Sequence, residues 1–577
     1  MGRRGIPSIV SRLPPPGRWL RRCRIGIRRE MVRPLLPGAA EQAILQEACR
    51  DRDPAPTRGA RRLPGRGRAA PRPRCAAGMA RGRPRPPRDA AGRRRASGGA
   101  SPAGRARSRP GLRGRAVTPD FAAAIAGRVA RRELGARAVV AAALDRIAAL
   151  DPRVGAFTDV TAARALAAAE ALDARLDRGE AAGPLAGVPF AVKNLIDVAG
   201  LPTRAGSRIN RERVPAARDG ALVRRLEAAG AILVGALNMG EYAYDFTGEN
   251  VHDGPSRNPH ALAHMSGGSS GGSGAALAAG LVPLTLGSDT NGSIRVPSAF
   301  CGVFGLKPTY GRLTRAGSFP FVGSLDHLGP MARSVADLAL AYDAMQGPDP
   351  EDPVATRRPP EPVTPLLGRG AEGLRVAVAG GYFARGGDPE AFEAVARVAR
   401  ALGADATVEI PEAARARAAA YLISAAEGAA LHLDRLRARP GDFDPAVRDR
   451  LLAGAMIPAP HVERAQRFRR WYAGAVAEVF AGVDAILAPA TPCRAPRGGE
   501  TVLVLDGVAM PLRPNLGVFT QPISFVGLPV AAVPVWLDDG LPLGVQVIAA
   551  PWREDVALRI AHALEQAGVA RAPVAPL

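Results

Sequence analysis

Apolar and polar residues alternate with two different periods along most of the chain. Between residues 118 and 150, and again between 161 and 176, apolar residues recur at the spacing of amphipathic helices. Shorter apolar runs follow, and PFAVKNLI and AILVGAL predict strands on either side of a helix at residues 221–229. This order of elements predicts α/β architecture around a central, partly parallel sheet.

The same pattern resumes after a polar connection at residues 347–365. LRVAVAGG predicts a new strand, and helices follow to about residue 480. Three apolar runs then predict buried strands, VDAILAP, GLPVAAVPV and PLGVQVIA, before a last helix at residues 555–566. We expect this second block to continue the first sheet. Residues 117–577 would then form one domain, with a large mixed central β-sheet covered by helices on both faces.

Residues 1–116 differ from the rest because they are rich in Arg, Pro and Gly. Residues 1–115 hold 31 arginines and six acidic residues, which accounts for the whole net charge of +25. Such a composition buries little apolar surface and predicts a disordered basic extension. It could be a nucleic-acid-binding tail, a targeting arm or translated sequence upstream of the true start. We favour the last, because the extension lacks the interleaved aromatic residues and the helical periodicity that would grip RNA, so a nucleic-acid partner is not expected.

The remaining composition excludes several classes of protein. Only Cys301 and Cys493 lie in the predicted domain, so we expect no disulfide framework and a reducing, cytoplasmic location. No apolar run reaches the roughly 18 residues of a membrane span. The seven histidines show no metal-ligand spacing, so we expect neither a metal ion nor a cofactor.

Two Gly/Ser-rich loops stand out at residues 266–311. They read GGSSGGSG and SDTNGSIR, and apolar runs that need burial flank both of them. A flexible linker should not be embedded in apolar sequence. Buried loops that carry Ser269, Ser270 and Ser293 among exposed N–H groups are instead typical of a nucleophile with an oxyanion hole.

Lysine is almost absent from this basic chain. Of 78 basic residues only Lys193 and Lys307 are lysines. Arginine can replace lysine on a solvated surface, but it cannot give up its proton and act as a base. Lys193 ends an apolar, strand-like run, where burial would lower its pKa and make it a candidate general base.

These residues resemble a known family. GVPFAVKN, GGSSGGSG and SDTNGSIRVPSAFCGVFGLKPTYG are similar to the three sequence blocks of the amidase signature family of serine hydrolases. The resemblance implies the amidase-signature fold, Lys193 as base, Ser269 as a bridging serine in a cis peptide and Ser293 as nucleophile. It also implies an oxyanion hole made by the backbone N–H groups of Thr290, Asn291, Gly292 and Ser293.

A narrower resemblance concerns the substrate. VKNLIDVAGLPTRAGS and ALNMGEYAYDFTGENVHDGPSRNP resemble the branch that hydrolyses 1-carboxybiuret during cyanuric acid degradation. The resemblance implies a small-molecule amide substrate and is compatible with a homo-oligomer and with a small accessory protein partner. Two alternatives share the three blocks: the glutaminase subunit of a tRNA-dependent amidotransferase, and a general acylamidase.

Further site residues are predicted around the nucleophile. Asp289 and Arg295 flank its loop and are expected to form an ion pair that supports it. A carboxylated substrate would need an arginine. The sequence also departs from the family, which usually has Gly-Gly where this chain has Asn291-Gly292; Asn291 would narrow the pocket or offer an amide to the substrate. The predicted substrate-binding residues are Tyr244, Asn250, Ser270, Arg312 and Arg315.

One competing interpretation rests on the first loop alone. Gly267-Gly268-Ser269-Ser270-Gly271 fits G-x-S-x-G, the nucleophile elbow of α/β-hydrolases. That fold needs an Asp and then a His downstream, and His562 on the predicted last helix is the available histidine. We expect His562 to be a helix-surface or core residue instead.

Overall fold

The computed structural model describes residues 120–577. The predicted disordered extension at residues 1–116 lies outside the described residues. The first predicted helical stretch forms two helices, with a turn at residues 131–135 between them. In chain order the helices are α1 Ala122–Ala130, α2 Ala136–Val154, α3 Ala162–Asp177, α4 Ala221–Ala228, α5 Gly271–Ala278, α6 Arg295–Cys301, α7 Val335–Met345, α8 Pro389–Leu402, α9 Ala413–Ala438, α10 Pro445–Ala455, α11 Ala459–Gly482, α12 Leu512–Asn515, α13 Gln521–Ser524 and α14 Glu554–Gln566.

Thirteen strands are present in the described residues. They are β1 Phe157–Val160, β2 Pro189–Lys193, β3 Ile232–Leu237, β4 Leu284–Asp289, β5 Phe304–Lys307, β6 His327–Ala332, β7 Val376–Ala379, β8 Ala406–Val408, β9 Ala485–Pro489, β10 Val502–Leu505, β11 Val508–Pro511, β12 Val530–Val535 and β13 Leu543–Ala549. All the strands predicted from apolar runs are present.

Eleven of these strands form one mixed sheet in the order β1-β3-β2-β4-β6-β5-β12-β13-β9-β7-β8. β2 is parallel to β3 and β4, and β7 is parallel to β8 and β9. The central pairs from β4 to β9 are antiparallel. Strands β7, β8 and β9 extend this sheet, which confirms that the second block continues the first.

The central strands explain why helices must cover both faces of the sheet. Every residue of β2, β4, β12 and β13 is buried, and a strand can bury both alternate sets of side chains only if both faces are covered. Among the covering helices, α14 packs on β12 and β13, and α8 packs on β9 and β13.

One edge of the sheet positions the site. Strands β2 and β4 are parallel, with Val192 opposite Leu286, so their carboxyl ends lie side by side. Lys193 ends β2, and Ser288 and Asp289 end β4. Apolar strands therefore deliver a lysine and the start of the second Gly/Ser loop to the same edge. None of the helices in the described part of the chain has the length and hydropathy needed to cross a membrane.

Candidate active site

Lys193 and Ser269 form a buried hydrogen-bonded pair. Lys193 Nζ lies 2.6 Å from Ser269 Oγ and 2.9 Å from Ser288 Oγ, and all three side chains are buried. Burial lowers the pKa of Lys193 to about 7, although Asp289, Asp326 and Asp245 oppose the shift. An amine with this pKa is uncharged in a large fraction of molecules near neutral pH. It can then donate to Ser288 and accept a proton from Ser269.

The first Gly/Ser loop precedes a fully buried helix. The peptide bond between Gly268 and Ser269 is cis, and α5 begins two residues later. Ser270 Oγ donates to the carbonyl oxygen of Ser288 at 3.1 Å and accepts from the Ser288 N–H at 3.2 Å. The Ser270 N–H donates to the carbonyl oxygen of Ser293 at 3.3 Å. These bonds hold the two predicted serine loops against each other.

Asp289 organises the second loop. Its carboxylate accepts hydrogen bonds from the N–H groups of Gly292 at 2.7 Å and Ile294 at 3.2 Å. Arg295 contacts the same carboxylate through Nε at 3.0 Å and Nη2 at 2.9 Å, and both side chains are fully buried. Burial alone would raise the pKa of Asp289, but the charge and hydrogen bonds of Arg295 hold that pKa well below its usual range.

The predicted oxyanion hole needs one correction. The Gly292 N–H already donates to Asp289, so it is not available to an oxyanion. The N–H groups of Thr290, Asn291 and Ser293 find no acceptor within residues 120–577. Gly292 has φ +140°, and a Cβ there would lie 2.8 Å from the Cβ of Thr520. Glycine at 292 therefore shapes the loop while its neighbours present free donors.

Two adjoining cavities open beside this loop. The larger cavity, of about 160 Å³, is lined by Ser288, Thr290, Phe319 and Asp326 among others. The smaller cavity, of about 20 Å³, is lined by Ser293 and Asn291, and shares Ala243, Thr290 and Phe321 with the larger one. Ser293 thus lines the smaller of two adjoining cavities, while Lys193 and Ser269 are fully buried.

The predicted substrate-binding residues separate into two groups. Tyr244 lines the smaller cavity and Arg315 lines the larger one. Asn250 lines neither cavity: its amide donates to Gly206 and Met239 carbonyls and accepts from two backbone N–H groups. Ser270 is fully engaged with the backbone of Ser288.

The predicted carboxylate-binding arginines are already occupied, which corrects that prediction. Arg312 is 2% exposed and donates to Tyr342, Gln346 and Glu361. Arg315 forms a two-pronged pair with Asp352 at 3.0 and 3.1 Å. Because both guanidiniums serve structural partners, neither is free to bind a substrate carboxylate.

Arg450 is the arginine that sequence reasoning missed. It lies on α10, lines the smaller cavity with Ser293, and has its guanidinium carbon 3.5 Å from the ring centre of Tyr244. One nitrogen donates to the Tyr244 carbonyl at 2.8 Å, whereas Nε is buried without an acceptor in the described structure. No carboxylate of residues 120–577 pairs with it. In the sequence it is one of two arginines on an otherwise largely apolar helix, in a chain with many arginines, so no local signal distinguishes it.

The remaining candidates occupy structural positions. Lys307 is fully buried, and its Nζ contacts the carbonyl oxygen of Pro308 at 3.0 Å and His327 at 3.2 Å. His562 lies on α14 next to Glu565 and lines neither cavity, and Ser269 has Lys193 as its partner, so the nucleophile-elbow interpretation is wrong. No cluster of three or more His, Cys, Asp or Glu side chains between 120 and 577 is arranged to hold a metal ion.

Comparison with known proteins identifies the class of protein. The model of the Amidase family matches residues 138–558, so the chain belongs to the amidase signature family and is an amidohydrolase. Over 445 residues it is 54% identical to AtzE, a component of the 1-carboxybiuret hydrolase of Pseudomonas sp. (strain ADP), covering 77% of this chain and 97% of that one. It is 40% identical over 471 residues to a component of the glutamyl-tRNA(Gln) amidotransferase of Anaeromyxobacter sp. (strain K), covering 76% and 94%.

Solved structures agree with this assignment. One belongs to an s-triazine catabolic enzyme found in a vestigial protein complex; it matches with a TM-score of 0.78 and 53% identity, over 78% of this chain and 99% of that one. A bacterial aryl acylamidase of the amidase signature family matches with a TM-score of 0.73 and 28% identity, over 78% and 96%. The predicted amidase-signature fold is therefore confirmed.

Proposed function

We propose that this chain hydrolyses the terminal carboxamide of a small carboxylated ureido compound, with 1-carboxybiuret as the leading candidate substrate. The observation that carries the proposal is Arg450, an arginine without a carboxylate partner in the described residues that lines the same cavity as Ser293. The 54% identity to a component of a 1-carboxybiuret hydrolase supports the same substrate class.

The proposed chemistry uses three side chains. Ser293 Oγ attacks the carboxamide carbon, and its proton passes to Ser269 while Ser269 passes its own proton to neutral Lys193. The N–H groups of Thr290, Asn291 and Ser293 stabilise the oxyanion. Lys193 then returns a proton through Ser269 to the leaving nitrogen, and ammonia departs. Water attacks the acyl ester on Ser293 by the same proton route and restores the enzyme.

Substrate recognition is assigned to the smaller cavity. Arg450 can bind a carboxylate through its unpaired Nε, and the neighbouring Tyr244 hydroxyl is also buried without a hydrogen-bond partner in the described residues. A charge-assisted bond from a guanidinium is among the stronger polar contacts in proteins. A substrate that carries an amide and a carboxylate at its two ends therefore fits the donors present.

A second candidate function is that of the glutaminase subunit in a tRNA-dependent amidotransferase. The relatives from glutamyl-tRNA(Gln) amidotransferases, at 40% identity, favour it, and glutamine also carries both a carboxamide and a carboxylate. We further propose that a small accessory protein binds this chain, because the s-triazine enzyme with the 0.78 TM-score lies in a protein complex.

We also propose that the enzyme is cytoplasmic. This location is compatible with its similarity to a component of a 1-carboxybiuret hydrolase.

Ammonia release from a panel of substrates tests the proposal. The panel contains freshly prepared 1-carboxybiuret, biuret, allophanate, glutamine and a simple alkyl amide, each assayed with and without the Ser293→Ala substitution. We expect the highest kcat/KM for 1-carboxybiuret and no turnover by Ser293→Ala. A preference for glutamine would favour the amidotransferase function, and a preference for the simple amide would indicate a general acylamidase.

A further inference from the structure

Asn291 leaves one polar atom unused in the smaller cavity. The residue lies between Thr290 and Gly292 and is 7% exposed. Its side-chain Nδ2 donates to Ser424 Oγ at 2.9 Å, whereas Oδ1 is buried and has no donor in the part of the chain described. Most buried polar atoms in proteins are hydrogen-bonded, so an unpaired acceptor on the wall of a substrate cavity needs an explanation.

The orientation of Asn291 is fixed from two sides. Its carbonyl oxygen accepts a hydrogen bond from Thr520 Oγ1 at 2.6 Å, and the side-chain amide is held by Ser424 on α9. Oδ1 therefore cannot turn to find a partner without breaking the bond to Ser424. The backbone N–H of Asn291 also lacks an acceptor within residues 120–577. A single residue thus offers a donor and an acceptor beside Ser293.

These two groups match the two ends of a ureido unit. In a ureido amide, a second N–H group, on the side opposite the leaving nitrogen, is bonded to the carbonyl carbon that is attacked, whereas an alkyl amide has a methylene group there. The backbone N–H of Asn291 can bind the carbonyl oxygen, and Oδ1 can accept the adjacent N–H. An alkyl amide bound in the same orientation would place its methylene group against Oδ1 and leave this acceptor buried and unpaired, which costs free energy.

We infer that Asn291 Oδ1 accepts the N–H next to the scissile carbonyl and thereby selects ureido amides over alkyl amides. This inference rests on the proposed function, since it concerns how the same site distinguishes its substrate. It assigns to the Asn291 side chain a role in specificity, separate from that of its backbone N–H. It also explains why an amide at this position, next to Gly292, suits a ureido substrate.

Two compounds of equal length test the inference. N-carbamoyl-β-alanine and glutaramate both carry a carboxylate and a terminal carboxamide, and they differ in having NH or CH₂ beside the scissile carbonyl. Binding is measured by calorimetry to Ser293→Ala protein, where no turnover occurs. We expect N-carbamoyl-β-alanine to bind at least roughly tenfold more tightly than glutaramate, because only the former satisfies the buried Oδ1 with a hydrogen bond.

Substitution of Asn291 shows whether its side chain causes the preference. Asn291→Gly and the similarly sized Asn291→Leu, each combined with Ser293→Ala, should lower the preference to about one. Gln521→Leu is the matched control: Gln521 lines the same cavity, but its Oε1 already accepts from Arg417 at 2.8 Å, so the preference should survive. In otherwise unsubstituted enzyme, Asn291→Gly should reduce the ratio of the two kcat/KM values by roughly tenfold.

Every other outcome overturns the inference, and one of them also overturns part of the proposed function. If Ser293→Ala protein binds both compounds equally, or if the preference survives in Asn291→Gly and Asn291→Leu, the inference is wrong while the proposed function stands. If the Asn291 variants lose both compounds to the same extent, Asn291 has only a structural role and the inference is again wrong. Binding of neither compound overturns the proposed recognition of carboxylated amides, and the inference with it.

Discussion

Lys193 Nζ and Ser269 Oγ lie 2.6 Å apart at the carboxyl end of strand β2, and both side chains are fully buried. Desolvation lowers the pKa of the amine to about 7, so the amine exists in both its neutral and its protonated form near neutral pH. Lysine is suited to this position because a guanidinium would stay protonated. Arginine, which fills nearly every other cationic position of this chain, could not perform the same chemistry.

Ser269→Ala should reduce kcat severely, because it removes the hydroxyl that relays protons between Ser293 and Lys193. The expected loss is about 10²–10⁴-fold, the usual contribution of general acid–base catalysis. Ser273→Ala is the matched control: Ser273, on α5, is likewise a buried serine, but its Oγ donates to the Leu286 carbonyl at 3.1 Å instead of contacting Lys193. Its kcat should stay within a few-fold of the parent. Equal activity of Ser269→Ala and parent would exclude the relay.

The pH dependence of kcat/KM should report the deprotonation of Lys193. Burial lowers its pKa from 10.5 to about 7, so the fraction of neutral amine, and with it kcat/KM, should rise with pH through a midpoint near 7. Steady-state ammonia release, measured from about two pH units below that midpoint to about two above it, follows this limb.

Lys307 has to be separated from Lys193 in this experiment, because burial lowers its pKa to about 7 as well. Lys307 contacts His327 and the Pro308 carbonyl instead of a loop serine. Lys307→Met should therefore retain the rising limb while lowering stability, whereas Lys193→Arg should lose at least ~10²-fold in activity at every pH. If Lys307→Met lost the rising limb, the titrating group would be Lys307 and not Lys193.

Arg450→Gln should selectively weaken the binding of carboxylated substrates. A hydrogen bond to a charged group typically stabilises by about 1.5–3 kcal/mol, so KM for 1-carboxybiuret should rise roughly 10–100-fold, with neutral amides little changed. Arg315→Gln provides the contrast, because the Arg315 guanidinium is paired with Asp352; it should lower the melting temperature and leave the ratio between charged and neutral substrates unchanged. The reverse result would return the carboxylate site to Arg315.

Asp289→Asn should destabilise the protein strongly. The substitution leaves the fully buried Arg295 without its counter-charge, and breaking one partner of a buried ion pair typically costs about 3–5 kcal/mol. Urea unfolding measures the loss. An Asp289→Leu/Arg295→Met double variant should recover part of the stability, since it removes both charges. A loss below about 1 kcal/mol in Asp289→Asn would show that other groups neutralise Arg295.

The sequence predicted the sheet and the candidate triad because both depend on local signals. The composition of apolar runs such as PFAVKNLI is enough to predict that they are buried. Lysines are so rare in this chain that Lys193 stood out. The neighbourhood of Lys193 and Ser288 then follows from the parallel pairing of β2 and β4, and the bonds between Ser270 and the Ser288 backbone bring Ser269 to the same place.

The substrate-facing residues could not be predicted in the same way. Arg450 lies far beyond Ser293 in the sequence, and only the packing of α10 brings it to the smaller cavity. Arg312 and Arg315 are nearer in sequence, but buried acceptors such as Gln346 and Asp352 occupy them. The engagement of the Gly292 N–H by Asp289 likewise depends on the folded turn.

Covalent labelling by a fluorophosphonate, read by peptide mass spectrometry, tests most directly the claim that Ser293 is the nucleophile. Such a reagent phosphonylates an activated serine and leaves ordinary hydroxyls unmodified. We predict one adduct, on the peptide that contains Ser293, with slower labelling in Lys193→Met and none in Ser293→Ala. An adduct on Ser269, or undiminished labelling of folded Ser293→Ala protein, would contradict the account.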